Sequence, residues 1–134
     1  MRFFLLFASA CLAAGCTNDE PVETTARDVS RMEAELRGYE PAGPPVSCVS
    51  MRTLQGNRSI GEGAIVFDGP PGRKWVNRPP AGCPSLEFGR ALRVRTSGSQ
   101  LCRNEIVTVF DPVARTEYGG CGLGDFEPYR RVAR

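Results

Sequence analysis

The sequence predicts an all-β fold, a small antiparallel meander or half-closed barrel of about five strands, preceded by a signal peptide and a partly helical acidic tether. Two observations favour this class. Short runs of alternating or β-branched residues recur after residue 47, and clusters of glycine, proline and serine separate them. The chain has 134 residues, which suits one domain of ordinary size and excludes two.

The predicted strands differ in how clearly they alternate. Between residues 91 and 96, Leu92 and Val94 fall on one face, whereas Arg93 and Arg95 fall on the other. The later run EIVTVF is rich in β-branched residues, and the turn sequence SGSQ comes before it. The predicted strands span residues 48–54, 63–68, 73–77, 91–96 and 105–110.

The first fifteen residues resemble a bacterial lipoprotein signal peptide. Arg2 supplies the positive charge, and the apolar run over residues 3–14 is too short to span a bilayer, which takes about 20 residues. The run ends in LAAGC, which resembles a lipobox, so we expect cleavage before Cys16 and a lipid on its thiol. An ordinary cleaved signal or a buried N-terminal helix is the alternative.

Lipidation at Cys16 would anchor the protein to a membrane of the cell envelope, facing the periplasm. Thr17 follows the cysteine in place of aspartate, which by resemblance to enterobacterial sorting favours the outer membrane over the inner. In this compartment we expect no nucleic-acid partner.

Residues 16–47 form a predicted tether that differs in charge from the predicted β-domain, residues 48–134. Residues 17–47 carry seven acids and three bases, a balance of −4. Residues 48–134 carry eight acids and thirteen bases, a balance of +5. The proline- and glycine-rich sequence PAGPP at residues 41–45 marks the boundary.

A short helix is predicted over residues 26–37 of the tether. Thr25 can cap it, and Val29, Met32 and Leu36 share one face. Because twelve residues are marginal for an isolated helix, we expect a solvated tether that is helical part of the time, in preference to a partner-binding helix. Such a tether would reach about 30 Å from the membrane.

The chain contains no histidine, which excludes a Ser-His-Asp triad, a Cys-His dyad and imidazole metal ligands. A serine activated by Lys74, the only lysine, is a weak alternative. No spacing singles out a catalytic pair among the carboxylates near predicted turns and strand ends, which are Asp68, Glu87, Glu105, Asp111 and Asp125. We therefore expect a protein that is not an enzyme and holds no cofactor or metal.

Four cysteines remain in the predicted β-domain, and a small domain in an oxidising compartment is expected to join them in two disulfides. A metal site is disfavoured because no CxxC spacing occurs. Four cysteines allow three pairings, and the geometry of a meander ranks them. Cys48 and Cys102 each open an odd-numbered predicted strand and lie at one end of the sheet, whereas Cys83 and Cys121 lie at the other end. This arrangement favours Cys48–Cys102 and Cys83–Cys121 over any pairing of Cys83 with Cys102. A crossed connection or an additional strand at residues 118–121 would overturn this ranking.

The arginines suggest a binding surface. Arg93 and Arg95 share the solvent face of one predicted strand, and Arg103 lies at the start of the next. Together they form a candidate site for an anionic envelope component, either lipid phosphates or acidic glycans. The alternative is a soluble surface without a ligand, because sixteen arginines beside one lysine indicate an arginine-rich proteome.

Four motifs of the predicted β-domain combine cysteine, glycine, proline and apolar residues. They are VNR at 76–78, CPSL at 83–86, LC at 101–102 with EIV at 105–107, and CGLGDF at 121–126. Together they resemble an uncharacterised proteobacterial family, the domain of unknown function 6491, over residues 48–128. The chain departs from the family at Ser85, where glycine is expected, and at Asn104-Glu105, where aspartate is usual. The resemblance implies a small secreted or lipid-anchored protein of unknown role, and it supplies no catalytic residues.

These observations predict a lipid-anchored envelope protein that binds or scaffolds an anionic component or a protein partner. The alternative is a small β-barrel inhibitor of an envelope hydrolase, either a protease or a lysozyme. Because a domain of balance +5 is repelled by strongly basic lysozymes, an acidic protease is the better target.

Overall fold

The computed structural model describes residues 22–87 and 89–133, which contain one helix and ten strands. The predicted signal peptide and Cys16 lie outside the described residues. The helix, α1, spans Ala26–Glu35. The strands are β1 (Tyr39–Pro41), β2 (Cys48–Ser50), β3 (Gly56–Ile60), β4 (Ala64–Asp68), β5 (Arg73–Asn77), β6 (Ala91–Arg93), β7 (Gln100–Cys102), β8 (Ile106–Asp111), β9 (Thr116–Gly122) and β10 (Phe126–Arg131).

The strands pair antiparallel in three sheets, which confirms the all-β prediction. The largest sheet has the order β1-β10-β5-β4-β3, a second pairs β2 with β7, and a third has the order β6-β8-β9. The strand count and order differ from a five-strand meander, because β10 returns from the end of the chain and inserts between β1 and β5. The described strands form no closed barrel.

β4 is apolar along most of its length because both faces of the large sheet are covered. On one face, Ile65 and Phe67 join the main core beneath the two smaller sheets, where the rings of Phe67 and Phe126 lie 5.7 Å apart. On the other face, Ala64 and Val66 belong to a second cluster that α1 covers. A run that is buried on both sides therefore shows no alternation.

α1 and β1 belong to the folded unit, which differs from the solvated tether expected over these residues. Met32 and Leu36 pack against the second cluster on the large sheet, and β1 pairs with β10. Thr25 caps the helix by accepting a hydrogen bond from the Asp28 amide, and the Asp28 carboxylate accepts one from the Thr25 amide. Burial of the apolar face supplies the stability that an isolated twelve-residue helix lacks.

Charged side chains also hold α1 on the sheet. Glu35 lies 2.8 Å from Arg58 Nε and 3.1 Å from Lys74 Nζ. Arg31 lies 2.8 Å from Glu87 Oε1 and donates to the Ser59 carbonyl at 2.6 Å. Burial raises the pKa of Glu35, but the hydrogen bond from Lys74 and the charge of Arg58 outweigh it, so the pKa is lowered overall.

Within the described residues, the helix is neither long nor apolar enough to cross a membrane.

The structure pairs Cys48 with Cys102 and Cys83 with Cys121, the pairing that the sequence favoured. The geometry behind it differs from the meander argument. Cys102 ends a short strand of its own, β7, and lies directly opposite Cys48 on β2. The second disulfide joins the loop before β6 to β9, the additional strand at residues 118–121 that the prediction lacked. The pairing is therefore correct for a different topological reason.

Asn77 is a fully buried polar side chain at the end of β5. Its Nδ2 group donates to the Gly124 carbonyl at 2.8 Å, and its Oδ1 atom accepts from the Gly124 amide at 2.9 Å. A Cβ atom at Gly124 would lie 2.5 Å from the Arg78 carbonyl oxygen, so this close approach requires glycine. The pair joins two of the motifs that carry the family resemblance, VNR and CGLGDF.

Candidate functional site

Arg93 and Arg95, two of the predicted anion-binding residues, converge on Glu117 of β9. Arg93 Nη1 lies 2.6 Å from Glu117 Oε1, and Arg95 Nη2 lies 3.7 Å from the same oxygen. The Arg93 guanidinium also lies over the Phe110 ring, 4.6 Å from its centroid. Two cations thus share one carboxylate, and the cluster keeps a net charge of +1.

Next to this cluster is a cleft of about 420 Å³ that ends at the β8–β9 turn. Arg115 lines it, and its guanidinium makes no ion pair with another described residue. Guanidinium groups bind carboxylate and phosphate oxygens in bidentate geometry, so the cleft is suited to an anionic group. Its lining residues are Arg93, Phe110, Asp111, Pro112, Arg115 and Glu117.

Arg103, the third predicted anion-binding residue, does not line this cleft. Its Nη1 atom lies 3.6 Å from Asp125 Oδ1, which partly balances its charge. The structure therefore brings together two of the three predicted arginines and adds Arg115, which the sequence analysis missed. Glu117 and Phe110 were also missed, because both lie on other strands and only the pairing of β6, β8 and β9 brings them near Arg93.

The β8–β9 turn presents Val113, which is 91% exposed. Asp111 Oδ1 accepts hydrogen bonds from the Val113 amide at 2.8 Å and the Ala114 amide at 2.9 Å, and the Asp111 carbonyl accepts from the Arg115 amide at 2.8 Å. The bonds from Ala114 and Val113 lower the pKa of Asp111, so the carboxylate stays charged at neutral pH. The turn is thus held in one conformation with an apolar side chain at its tip.

The carboxylates considered for acid–base catalysis each have a partner in the protein. The partners are backbone amides for Glu105 and Asp111, and arginines for Asp68, Glu87 and Asp125. Within residues 22–87 and 89–133, no group of three or more cysteine, aspartate or glutamate side chains is placed to hold a metal ion.

An apolar groove of about 450 Å³ separates part of α1 from the large sheet. Val29 shares the apolar face of α1 with Met32 and Leu36, yet it remains 47% exposed. The apolar face of the helix therefore continues beyond the area that the sheet covers. The lining consists of Glu23, Thr24, Asp28, Val29, Met32, Glu33, Leu36, Ile60, Gly63, Ala64 and Arg78.

Comparison with protein families identifies the family of this chain. The model of a family of unknown function, DUF6491, matches residues 1–125. The chain belongs to this family. No curated protein and no solved structure matches it.

The DUF6491 match extends the resemblance seen over residues 48–128 to the start of the chain. It spans the segment with the predicted lipobox, α1, both disulfides and both sides of the apolar groove. It also spans the cleft lined by Arg93 and Arg115, called the arginine cleft below. β10, which supplies a central strand of the large sheet, lies beyond the matched range. The family has no assigned role, so the function has to be argued from the molecule itself.

Proposed function

We propose that this DUF6491 protein is lipid-anchored at Cys16 in the cell envelope, faces the periplasm, and acts by binding rather than by catalysis. The observation that carries the proposal is the pair of disulfides, Cys48–Cys102 and Cys83–Cys121, because such bonds persist in oxidising compartments. The lipobox-like sequence LAAGC supports the anchor, and Thr17 favours the outer membrane over the inner.

The docking of α1 changes the expected distance between the anchor and the folded unit. Five residues, 17–21, separate Cys16 from Val22. A Cβ atom at Gly82 would lie only 2.8 Å from Val22 Cγ2, so Val22 is already in contact with the domain. An anchor at Cys16 would therefore keep the domain within about 20 Å of the membrane. The 30-residue tether expected from the sequence would reach about 30 Å.

Mass spectrometry of the membrane fraction tests the anchor. Wild-type protein should yield an N-terminal peptide that begins at an acylated Cys16, and Cys16→Ala should remove both the lipid and the membrane association. Cys11→Ala is the matched control, because Cys11 lies within the predicted signal peptide and should leave lipidation intact. A mature protein that starts at another residue, or that is released without detergent, would contradict the proposal.

The arginine cleft supports an anionic envelope component as the ligand. Arg93 and Arg115 line the cleft with Glu117 and Asp111, and Phe110 supplies an apolar wall. Arg95 adds a third cation beside the cleft through its contact with Glu117. Phosphate and carboxylate groups of envelope lipids and glycans match this chemistry.

A binding assay against anionic vesicles and acidic glycans tests the cleft. Combined Arg93→Gln and Arg95→Gln should weaken binding about tenfold at low salt, and added salt should weaken the wild type. Arg52→Gln removes one charge from an exposed turn outside the cleft and is the control. Binding that resists both salt and the double substitution would exclude these arginines as the contact.

A second candidate function is inhibition of an envelope protease, and the β8–β9 turn favours it. A pre-organised turn with an exposed apolar residue loses little entropy when it enters a partner's cleft. If Val113 anchors such a complex, Val113→Asp should abolish inhibition, whereas Ile106→Asp, at an exposed position on β8, should retain it. Unchanged inhibition by Val113→Asp would remove the turn from consideration.

A further inference from the structure

We propose that the apolar groove between α1 and the large sheet holds an acyl chain carried by Cys16 when the protein is away from a bilayer. The inference rests on the proposed lipidation of Cys16 and adds a place for the lipid on the protein's own surface. The groove, rather than a partner protein, would then keep part of the lipid out of water.

The lining of the groove suits a hydrocarbon chain. Val29, Met32 and Leu36 form the helical wall, and Ile60 and Ala64 form the floor on the sheet. Its volume of about 450 Å³ lies in the range of small-molecule sites, about 300–1,000 Å³. The small side chain of Ala64 leaves the space open beside α1. An aliphatic chain needs such an apolar channel and no hydrogen-bonding partner.

The position of the N-terminal segment places Cys16 within reach of the groove. The described chain starts at Val22, next to Gly63, and Gly63 itself lines the groove. Six residue steps separate Cys16 from Val22, and a chain spans at most about 3.5 Å per step, or about 20 Å in total. α1 has ten residues and is therefore about 15 Å long. A lipid on Cys16 is thus within reach of the end of the groove beside Gly63.

The charges at the rim favour this occupant over a free anionic lipid. Glu23, Asp28 and Glu33 border the groove and would repel a fatty-acid carboxylate or a phosphate headgroup. Arg78 is the basic residue of the lining, and its Nε atom already lies 3.3 Å from Glu127 Oε1. An acyl chain that is attached to the protein brings no anionic headgroup to this rim.

A photo-cross-linking experiment tests the proposal on the full-length protein. Cells are fed a fatty acid that carries a diazirine near its end, and the acylated protein is purified in detergent, freed of detergent and isolated as a monomer. After illumination, the cross-linked residues are found by mass spectrometry. We expect adducts within the same molecule at residues 26–36 and 60–64.

Val29→Glu is the informative variant. Val29 is half-exposed in the first turns of α1, where a glutamate is compatible with the helix and its dipole, so the fold should be retained. A carboxylate in the groove disfavours the acyl chain, and the yield of these adducts should fall about tenfold or more. Val113→Glu introduces the same change at an exposed turn and should leave the yield unchanged. Circular dichroism checks that both variants are folded.

The possible results separate this inference from the proposed function. Acylated protein whose adducts lie elsewhere, or join two copies of the chain, overturns the groove as the lipid's place and leaves the anchor intact. Equal adduct yields in Val29→Glu and wild type also overturn it. A product without any acyl group on Cys16 overturns both the groove and the anchor.

Discussion

The bonds between Asn77 and Gly124 offer a direct test of how the fold is held together. Asn77→Ala would leave the Gly124 amide and carbonyl without their partners. A buried backbone group that loses its partner costs about 1–3 kcal/mol. Gly124 is only half-buried, so a value near the lower end, about 1.5 kcal/mol for each group, is appropriate. We therefore expect Asn77→Ala to lower the free energy of unfolding by about 3 kcal/mol.

Asn77→Asp keeps the shape of the side chain and makes the effect depend on pH. The new carboxylate would face the Gly124 carbonyl, where the wild type has a donor, and burial would raise its pKa above the ordinary value of about 3.9. A group with a raised folded pKa contributes stability at low pH and loses it as the pH rises through that pKa. The stability difference from wild type should therefore be small near pH 3 and widen towards pH 7.

Urea unfolding of the full chain at several pH values measures both effects. In thermal unfolding, a domain of this size loses about 4 °C in Tm for each kcal/mol of stability, so Asn77→Ala should lower the Tm by about 12 °C. Asn57→Asp, at an exposed position of β3, is the matched control and should change little. A loss below about 1 kcal/mol in Asn77→Ala, or a pH-independent loss in Asn77→Asp, would refute the role assigned to this side chain.

Two further predictions concern α1 and the disulfides. Glu35→Gln should lower the free energy of unfolding by about 1 kcal/mol at pH 7. Because the pKa of Glu35 is lowered from 4.5 by folding, the difference from wild type should shrink as the pH falls below about 4.5. Urea unfolding between pH 3 and 7 measures this difference, and a difference that stays constant over the range would contradict the prediction. The disulfide Cys48–Cys102 is half-buried, whereas Cys83 and Cys121 are 1% and 5% exposed. Limited reductant followed by alkylation should therefore label Cys48 and Cys102 first, and simultaneous labelling of both pairs would contradict the burial argument.

The sequence predicted β4 and β5 almost to the residue, because β4 is a compact apolar run and the turn sequence GPPG at residues 69–72 separates it from β5. It missed β9, whose glycines at 119, 120 and 122 indicate a turn rather than a strand. At Gly120 a Cβ atom would lie 2.7 Å from the Val107 carbonyl oxygen, so close strand pairing selects glycine there. Glycine indicates a turn when the local sequence is considered alone, but here the pairing of β9 with β8 requires it.

The sequence also missed β10, because a proline inside a central strand argues against that assignment. Pro128 is accommodated at the point where β1 ends. Its carbonyl accepts a hydrogen bond from the Ala42 amide at 2.9 Å, and its missing amide hydrogen falls on the side where the neighbouring strand has finished. Because the two residues are almost ninety positions apart in the chain, no local sequence pattern predicts this pairing.

The same limit applies to the candidate binding surfaces. Alternation placed Arg93 and Arg95 on one face, but their shared carboxylate, Glu117, is brought there by the pairing of β8 with β9. The sequence showed the apolar face of α1 as Val29, Met32 and Leu36, yet the short length of the predicted helix favoured a solvated tether. A face of three apolar residues is too small to hold an isolated helix, and it becomes decisive only against a sheet whose outer face is also apolar.

That docking connects the two proposals made for this protein. A helix that remained in solution would leave no groove, and about thirty residues would separate Cys16 from the domain. With α1 on the sheet, the groove is formed by the same contacts that shorten the link to the anchor. Substitutions that release α1, such as the loss of Leu36, should therefore remove the lipid site and lengthen the link together. Substitutions at Val29 should affect the lipid site alone, because Val29 lines the groove without packing into the cluster beneath the helix.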